Sequence, residues 1–348
     1  MNLLQMPLVP LRRILYWMGL TELFLLSFTS RKLRDIIEHL LIPTFVDLIA
    51  FNKEFEFVVH TVEPTKRLRF SSKYPSMPYT EKKFTVMIGN QKIKMALIYE
   101  HHADRYSLYL KRKYVGKMFE FGFPYIRELF EPDEINLSVS FLKMHRLLPR
   151  MNVSRLTIKE KSINAGKLEA ILTKITVHHH LRVLNKVTGR LPIHSRMNDV
   201  LQLHTHGKWM RPAQILNFAG DHAFFSNTRF QDEDIVAFLR KWLNGDFRRL
   251  TTLIVQSKNR FSVEAVTRQF ETSPWDHTQR ARHYPYESEI SSAIAEHHLQ
   301  NICDCDVGYD IRRQSGRLAT FKITSNHFIF FVWFNRFPRR VVNHAVNG

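Results

Sequence analysis

Histidine and cysteine are the residue types in this sequence whose spacing could support metal chemistry. The chain of 348 residues contains 18 histidines and two cysteines. Groups close enough in sequence to act together include His178-His179-His180, His204 with His206, His297-His298, and Cys303 with Cys305. A structural zinc site needs four converging ligands, usually from two close pairs, and this chain has a single cysteine pair. The sequence therefore predicts no metal site.

The sequence also lacks the patterns of common catalytic sites. It contains no glycine-rich phosphate-binding loop, and its serine, histidine and aspartate residues form no nucleophile elbow. Cys303 and Cys305 do not have the sequence context of a ubiquitin-transferring or protease nucleophile. We therefore expect no catalytic residue, no cofactor and no enzymatic activity.

The net charge is the feature that points to a binding function. Lysine and arginine number 51 against 32 aspartate and glutamate residues, a formal net charge of +19. Such an excess raises nucleic-acid binding, because basic side chains neutralise phosphates. The basic residues occur in short separated groups without a nucleic-acid motif: Lys66-Arg67-Arg69, Lys111-Arg112-Lys113, Arg248-Arg249, Arg312-Arg313 and Arg339-Arg340. This distribution favours a solvated basic surface or an acidic protein partner, with nucleic-acid binding as the alternative.

Three short helices are predicted over residues 6–41, and they must position any binding surface near the N-terminus. Apolar residues recur at i, i+3, i+4 and i+7 in two of them, at Leu11, Ile14, Leu15 and Met18 and again at Leu33, Ile36, Ile37 and Leu40. Pro7 and Pro10 lie where a first helical turn tolerates proline. Thr21 is expected to cap the middle helix. The three helices carry more apolar surface than they can bury against one another, which indicates a partner.

This segment resembles an F-box in the order of its residues. The start Met6-Pro7-Leu8, the step Glu22-Leu23 and the run Leu-Ser-Phe-Thr-Ser-Arg over residues 26–31 follow that family's order and spacing. The resemblance implies binding to a Skp-type adaptor, which links an F-box protein to a cullin ubiquitin ligase. It implies an adaptor-binding surface drawn from Pro7, Leu8, Leu11, Leu15, Leu23, Leu26, Ser27 and Arg31. From helical periodicity alone, the segment could equally be an amphipathic cap on the following domain.

The apolar N-terminal stretch also raises membrane targeting. Glu22 interrupts the apolar run, no small-residue cleavage site follows, and the next residues include the basic Arg31 and Lys32. No window approaches the roughly 18 consecutive apolar residues of a spanning helix. Two cysteines cannot form a disulfide framework, as expected of a reducing compartment. We expect a soluble protein of the cytoplasm or nucleus that does not bind membranes.

Residues 51–125 predict an antiparallel β segment. Phe55, Phe57 and Val59 alternate with polar residues. Farther along, one alternating run ends at Ile88 and a second begins at Ile93. They flank Gly89-Asn90, which is the pattern of a β-hairpin with one buried face.

Residues 150–335 predict alternating strands and helices. The clearest helix begins at the acidic triplet 232–234, buries a stripe that ends at Trp242, and stops at Gly245. Strands around it recur at intervals of roughly 20 to 28 residues, within the range of leucine-rich repeats. We therefore predict a leucine-rich-repeat-like βα array with a curved parallel sheet, a form that suits recognition better than catalysis.

Two blocks within this region resemble the F-box-associated type 2 domain, found in F-box proteins expanded in nematodes. The first block runs from Val200 through the helix ending Trp242-Leu243-Asn244-Gly245 to Val255, and the second from Tyr309 to Trp333. The family usually has serine or threonine where this chain has Gln231, so Asp232 is expected to cap the helix. It usually has Asp-Gly where this chain has Ser315-Gly316, which still suits a turn in a hairpin.

Together these observations predict an α+β protein with an F-box at 6–45, an antiparallel β segment at 51–125 and an F-box-associated, repeat-like domain at 150–335. The resemblance implies a non-catalytic substrate receptor of an SCF-type ubiquitin ligase, with a Skp-type adaptor and a cullin scaffold as partners. The basic surface suggests an acidic target protein. The residues that contact the target are unknown from the sequence. An F-box protein that acts without a cullin is a further alternative.

Overall fold

The computed structural model of the protein describes residues 5–51, 54–63, 66–73, 79–101, 105–139, 150–159, 161–285 and 302–337. The chain divides into two compact units, unit 1 over residues 1–180 and unit 2 over residues 181–348. Helices and strands are mixed in both units, as the predicted α+β class requires. No helix in the described part of the chain is both long and apolar enough to cross a membrane.

Unit 1 begins with three helices and continues into a sheet. Its elements are α1 (Leu8–Trp17), α2 (Leu20–Leu26), α3 (Arg31–Glu38), β1 (Phe45–Phe51), β2 (Glu54–His60), β3 (Arg67–Ser71), β4 (Tyr79–Ile88), β5 (Gln91–Glu100), β6 (Arg105–Leu110), a 3-10 turn (Arg112–Tyr114), α4 (Val115–Lys117), a π-helical turn (Met118–Gly122), α5 (Phe123–Phe130), β7 (Glu134–Val139), β8 (Met151–Ile158), β9 (Ser162–Asn164), α6 (Ala165–Lys174) and β10 (Ile175–Val183). The boundary between the units falls within β10.

The helices α1 to α3 begin close to where the sequence predicts, but one cap differs. α1 begins directly after Pro7, which is its N-cap residue. α2 begins at Leu20, with Gly19 as its N-cap, so Thr21 lies inside the helix. The Thr21 hydroxyl donates a hydrogen bond of 3.1 Å to the Arg67 carbonyl of β3. Thr21 therefore attaches α2 to the sheet instead of capping it.

The sheet of unit 1 has the strand order β8-β7-β1-β2-β3-β6-β5-β4. The hairpin of β4 and β5 is confirmed, with Ile88 paired to Gln91 and Gly89 in the left-handed region at φ 56°. Neighbours between residues 51 and 110 are antiparallel except β3 and β6, which pair in parallel. The sheet also extends beyond the predicted segment, because β1 starts at Phe45 and pairs in parallel with β7. These parallel pairs make the sheet mixed.

A buried carboxylate joins three strands of this sheet. Glu100 of β5 accepts hydrogen bonds from Arg69 of β3 at 2.8 Å and from Ser107 of β6 at 2.8 Å. Arg105 donates to the same carboxylate at 2.8 Å and 3.0 Å. Burial by itself raises the pKa of Glu100, but the hydrogen bonds from Ser107 and Arg105 and the charge of Arg69 outweigh it and lower the pKa below its usual value.

We expect Glu100→Gln to lower the thermal stability of unit 1 at about pH 7, because the neutral amide loses the charge-assisted bonds. A carboxylate whose pKa is lowered in the folded state stabilises the protein above its unfolded-state pKa. That stabilisation is lost as the pH falls below about 4.5 and through the folded-state pKa. Thermal unfolding of Glu100→Gln and of the parent, at about pH 7 and again below about pH 4.5, measures how the stability gap between them changes with pH. The exposed Glu120→Gln change is the matched control, and a constant gap between Glu100→Gln and the parent at all pH values would contradict the assignment.

Unit 2 alternates strands and helices and then continues into antiparallel strands. Its elements are β11 (Lys186–Thr188), a 3-10 turn (Arg196–Asp199), β12 (Gln202–His206), α7 (Pro212–Leu216), β13 (His222–Thr228), α8 (Asp232–Leu243), β14 (Thr252–Ser257), α9 (Val263–Thr267), β15 (Ser273–Pro274), β16 (His283–Pro285), β17 (Ile302–Asp304), β18 (Tyr309–Arg312), β19 (Leu318–Ile323) and β20 (His327–Trp333). The order of its main sheet is β12-β13-β14-β20-β19-β18-β15.

The parallel part of this sheet is formed by the βα segments. β12 pairs in parallel with β13, and β13 with β14. The next neighbour, β20, is antiparallel to β14, so the sheet is mixed and the parallel run predicted for the whole array is wrong for this part of the chain. The final strands return as hairpins because their turns are short and polar, and one of them is the predicted hairpin around Ser315-Gly316.

Helix α8 starts and ends where the sequence predicts, with a different cap. It begins at Asp232, and Trp242 is fully buried on its inner face. The carboxylate that accepts a hydrogen bond from the Gln231 amide belongs to Asp234, at 2.9 Å, so the prediction that Asp232 caps the helix is wrong. Asp232 instead accepts from the Ser262 amide at 3.0 Å and connects the starts of α8 and α9.

Candidate functional site

The outer surface of α1 exposes an unusual amount of apolar side chain. Leu8 is 49%, Val9 78% and Trp17 72% exposed, and Ile14 and Tyr16 on the same helix are exposed as well. Only Leu11 and Leu15 of this helix are buried, and they attach it to the rest of unit 1. Clusters of exposed apolar residues on a soluble domain are typical of protein-binding surfaces. We call this set, Leu8, Val9, Ile14, Tyr16 and Trp17, the α1 surface.

The eight residues that the sequence assigns to an adaptor have two kinds of surroundings. Four are buried within unit 1: Leu11, Leu15, Leu23 and Ser27. Pro7, Leu8 and Arg31 are exposed, and Leu26 is half-buried. The exposed residues are accessible to a partner as they stand. The buried ones hold the helices in place, and their assignment to the adaptor stays a prediction.

Ser27 illustrates how a predicted contact residue serves the packing of the helices. Its hydroxyl donates to the Phe24 carbonyl at 2.6 Å and accepts from the Tyr125 hydroxyl of α5 at 2.7 Å. Burial raises the pKa of Tyr125, which keeps the phenol protonated and able to donate. The hydrogen bond from Tyr125 thereby fixes the end of α2 to α5, and the bond to Phe24 holds the Ser27 hydroxyl in place to accept it.

Aromatic packing and the basic side chain of Lys66 complete the support of the helices. Phe24 lies edge-to-face with Phe70 of β3, at 5.1 Å between ring centroids, and Phe28 stacks on Tyr125 at 5.0 Å. Lys66 donates to the Tyr16 carbonyl at the end of α1, with its ammonium 5.0 Å from the Tyr16 ring. The α1 surface is therefore presented by helices that are built into unit 1.

Sequence reasoning missed Val9, Tyr16 and Trp17, which are exposed members of the α1 surface. They fall outside the i, i+3, i+4 repeat, because that repeat marks the buried stripe of an amphipathic helix. The sequence does contain a signal for exposed contact residues, which is a large aromatic residue on the helix face that is usually polar. Trp17 carries that signal.

The histidine and cysteine groups do not converge in the described residues. His204 is buried and stacks on Phe224. The His206 ring is hydrogen-bonded to the Ser226 hydroxyl at 3.0 Å and to the side-chain nitrogen Nδ2 of Asn227 at 3.1 Å. Within the described ranges, no three histidine, cysteine or acidic residues are placed to hold a metal ion. His297 and His298 lie outside the described residues.

Comparison with known families matches two segments of the chain. Residues 3–44 match the F-box domain family, and residues 193–255 match the F-box-associated family. The first match contains α1 to α3, and the second runs from before β12 into β14. The chain therefore carries an F-box followed by an F-box-associated domain, and the resemblance seen in the sequence is confirmed.

Two uncharacterized proteins of Caenorhabditis elegans are similar to this chain. One is 23% identical over 355 aligned residues, which cover 97% of this chain and 80% of the relative. The other is 27% identical over 220 residues, which cover 60% of this chain and 48% of that relative. The similarity to the first extends through both matched segments and the residues between them.

Proposed function

We propose that the chain is the substrate receptor of an SCF-type ubiquitin ligase, with a Skp-type adaptor bound at the α1 surface. The F-box match gives the class of partner, since F-box domains typically bind such adaptors. The observation that supports the location is the exposure of Leu8, Val9 and Trp17 on one short helix. Aromatic and aliphatic side chains of this kind are the usual anchors of protein interfaces.

The proposed mechanism requires no catalytic group in this chain. The adaptor and a cullin would bring a charged ubiquitin-conjugating enzyme close to a target held by the receptor. Tethering then raises the effective concentration of target lysines near that enzyme. Because α1 to α3 are packed against β3 and α5, the receptor can hold its adaptor in a fixed orientation relative to unit 1.

For unit 2 we propose a leucine-rich-repeat-like target-binding face. The support is the succession of β12, β13 and β14, which begin at residues 202, 222 and 252 and pair in parallel with helices between them. Arrays of this kind present one side of a sheet to partners. The match to the F-box-associated family covers this same segment.

The test compares two valines of unit 1 that are equally exposed. Val9 and Val62 are each 78% exposed, and Val9 lies in α1 whereas Val62 lies after β2. Val9→Asp should weaken binding of a Skp-type adaptor by at least about tenfold, because a carboxylate is desolvated in an apolar interface. The helix itself tolerates the change, since a negative charge is favourable at a helix N-terminus. Val62→Asp should leave adaptor affinity unchanged.

Calorimetric titration of the purified chain with the adaptor measures both affinities. Equal binding by Val9→Asp and the parent would contradict the location, and no binding by the parent would contradict the proposed function. Recovery from cells of the adaptor without a cullin would indicate an F-box protein that acts outside a ligase.

Nucleic-acid binding remains the second candidate, because the net charge of +19 favours it. Its signature is affinity that falls steeply with salt, since bound phosphates release counterions. If the chain binds the adaptor but binds nucleic acid only weakly and with a strong salt dependence, the result would favour the ligase role.

A further inference from the structure

A basic pocket lies on the face of the unit 1 sheet formed by β4, β5 and β6. Its volume is about 450 Å³, within the range of roughly 300–1,000 Å³ that is typical of ligand pockets. Four lysines and one glutamate supply its charged groups, namely Lys83, Lys94, Lys111, Lys113 and Glu81. The pocket is formed by elements of unit 1 other than α1, which carries the proposed adaptor-binding surface.

Strand register explains why these lysines share one face. Thr85 of β4 pairs with Lys94 of β5, and Lys83 pairs with Ala96. Because side chains alternate along a strand, Lys83 and Lys94 lie on one face of the sheet and the buried Val86 and Ile93 on the other. The segment after β6 adds Lys111 and Lys113 to the pocket.

The positive charge of this pocket is poorly compensated. Lys83 lies 3.8 Å from Glu81, and the ammonium of Lys113 lies 5.2 Å from the centre of the Tyr114 ring. Lys94 and Lys111 have no carboxylate partner in the part of the chain that the structure describes. Like charges gathered in one pocket repel one another, and an anionic ligand offsets that repulsion.

Protection against edge-to-edge aggregation accounts for part of this pattern. β4 ends the strand order of the sheet, and natural edge strands often carry lysines that discourage pairing with other chains. That role fits Lys82 and Lys83 on β4. It does not account for Lys94 on the inner strand β5, or for Lys111 and Lys113 beyond β6. A ligand for the pocket accounts for all of them except Lys82, which does not line it.

We propose that this pocket binds an acidic, extended segment of the target protein. That this segment belongs to a ubiquitination target rests on the proposed receptor function, whereas the affinity of the pocket for acidic peptides does not. An extended segment that pairs with the β4 edge carries every second side chain on the face of the pocket, where carboxylates meet the lysines. All the cationic groups of the pocket are lysines, which act as point charges, and none supplies the forked guanidinium favoured for phosphates.

Fluorescence anisotropy of the purified full-length chain with a labelled peptide of alternating glutamate and threonine tests the proposal. The parent protein should bind it and should not bind the same peptide with glutamine in place of glutamate. Lys94→Gln with Lys111→Gln should weaken binding by about tenfold, as expected for the loss of two partly screened charge contacts. The matched control is Lys82→Gln with Lys92→Gln, two exposed lysines on the same strands that do not line the pocket. It should change the affinity by about twofold or less.

Equal weakening by both double variants would overturn the proposal, because net charge alone would then explain the binding. Complete displacement of the labelled peptide by a single-stranded oligonucleotide, at a concentration lower than the unlabelled peptide needs, would also overturn the proposal. It would assign the pocket to nucleic acid. The assay contains no adaptor. Failure of peptide binding therefore leaves the adaptor result standing, and failure of adaptor binding leaves the peptide result standing.

Discussion

Replacing Arg280 with methionine should lower the free energy of unfolding of unit 2 by about 3–5 kcal/mol, the usual cost of leaving one member of a buried ion pair unpaired. Arg280 is fully buried, and its Nε donates to both carboxylate oxygens of Asp310 at 2.9 and 3.0 Å. Its two terminal nitrogens donate to the carbonyls of Ala281 and Cys305. Methionine fills a similar volume but can make none of these bonds, so the change removes the charge with little loss of packing.

Asp310 is held by a chain of buried polar groups, and this chain explains why the loss should be large. The Thr320 hydroxyl donates to Asp310 at 2.6 Å and accepts from the Trp333 indole at 2.7 Å. Burial raises the pKa of Asp310, so its charged form is disfavoured in the fold even when Arg280 is present. Without Arg280, protonation of Asp310 at lower pH should recover part of the lost stability. A simple packing defect would show no such pH dependence.

Arg282 provides the control for this prediction. It lies two residues from Arg280 and pairs with Asp304 at 2.6 Å and Asp306 at 2.8 Å, but its side chain is half exposed. Arg282→Met should therefore cost much less stability than Arg280→Met, because solvent screens exposed ion pairs. Denaturation followed by tryptophan fluorescence measures both variants, because four of the five tryptophans belong to unit 2.

Cysteine labelling gives a second, local measurement of the same loss. Cys305 is buried, and its hydrogen bond with Cys303 together with burial raises the pKa of its thiol, so it should react slowly in the folded parent. Arg280→Met should accelerate its labelling, because Arg280 binds the Cys305 carbonyl. Similar stability losses for Arg280→Met and Arg282→Met would contradict the prediction, because the buried Arg280–Asp310 pair would then contribute no more to stability than an exposed pair.

Local elements could be predicted from this sequence because they depend on contiguous residues. The β4–β5 hairpin follows from alternation around Gly89-Asn90, and α8 follows from its acidic start and apolar stripe. The insertion of β7 beside β1 could not be predicted, because it pairs Phe45 with Glu134 across the intervening strands. The Arg280–Asp310 pair is hidden for the same reason, since nothing in the sequence near Arg280 distinguishes it from the exposed arginines.

For the candidate site, the positions of the helices could be predicted from the sequence, but the face that each helix exposes could not. The family order assigns Leu11, Leu15 and Leu23 to the adaptor, yet these residues are buried in unit 1. Helical periodicity identifies one apolar stripe and cannot tell whether that stripe packs on the chain itself or on a partner. Here the stripe of α1 packs inside, and Val9 and Trp17 outside it are exposed. The orientation depends on β3 and α5, which lie far along the chain.

Phe24→Ala should lower the stability of unit 1 by about 3–5 kcal/mol, the range for truncating a buried phenylalanine. Phe24 is fully buried in α2, and its ring contacts Phe28, Phe70 and Tyr125 at centroid distances of 4.9, 5.1 and 6.2 Å. The alanine leaves a cavity at the point where the F-box helices meet β3 and α5. Phe337→Ala is the control, because Phe337 is 53% exposed and the same truncation there should have little effect.

Hydrogen exchange then distinguishes two ways in which an F-box can be joined to its protein. If α1 to α3 are part of the core of unit 1, Phe24→Ala should accelerate exchange in β3 and α5 as well as in α2, because all three share the cavity. If the F-box folds as a separate module, only α1 to α3 should exchange faster. The hydrogen bonds from Thr21 to Arg67 and from Tyr125 to Ser27 favour the first result. In that case adaptor affinity should fall together with unit 1 stability, since the helix that carries Val9 and Trp17 would lose its support.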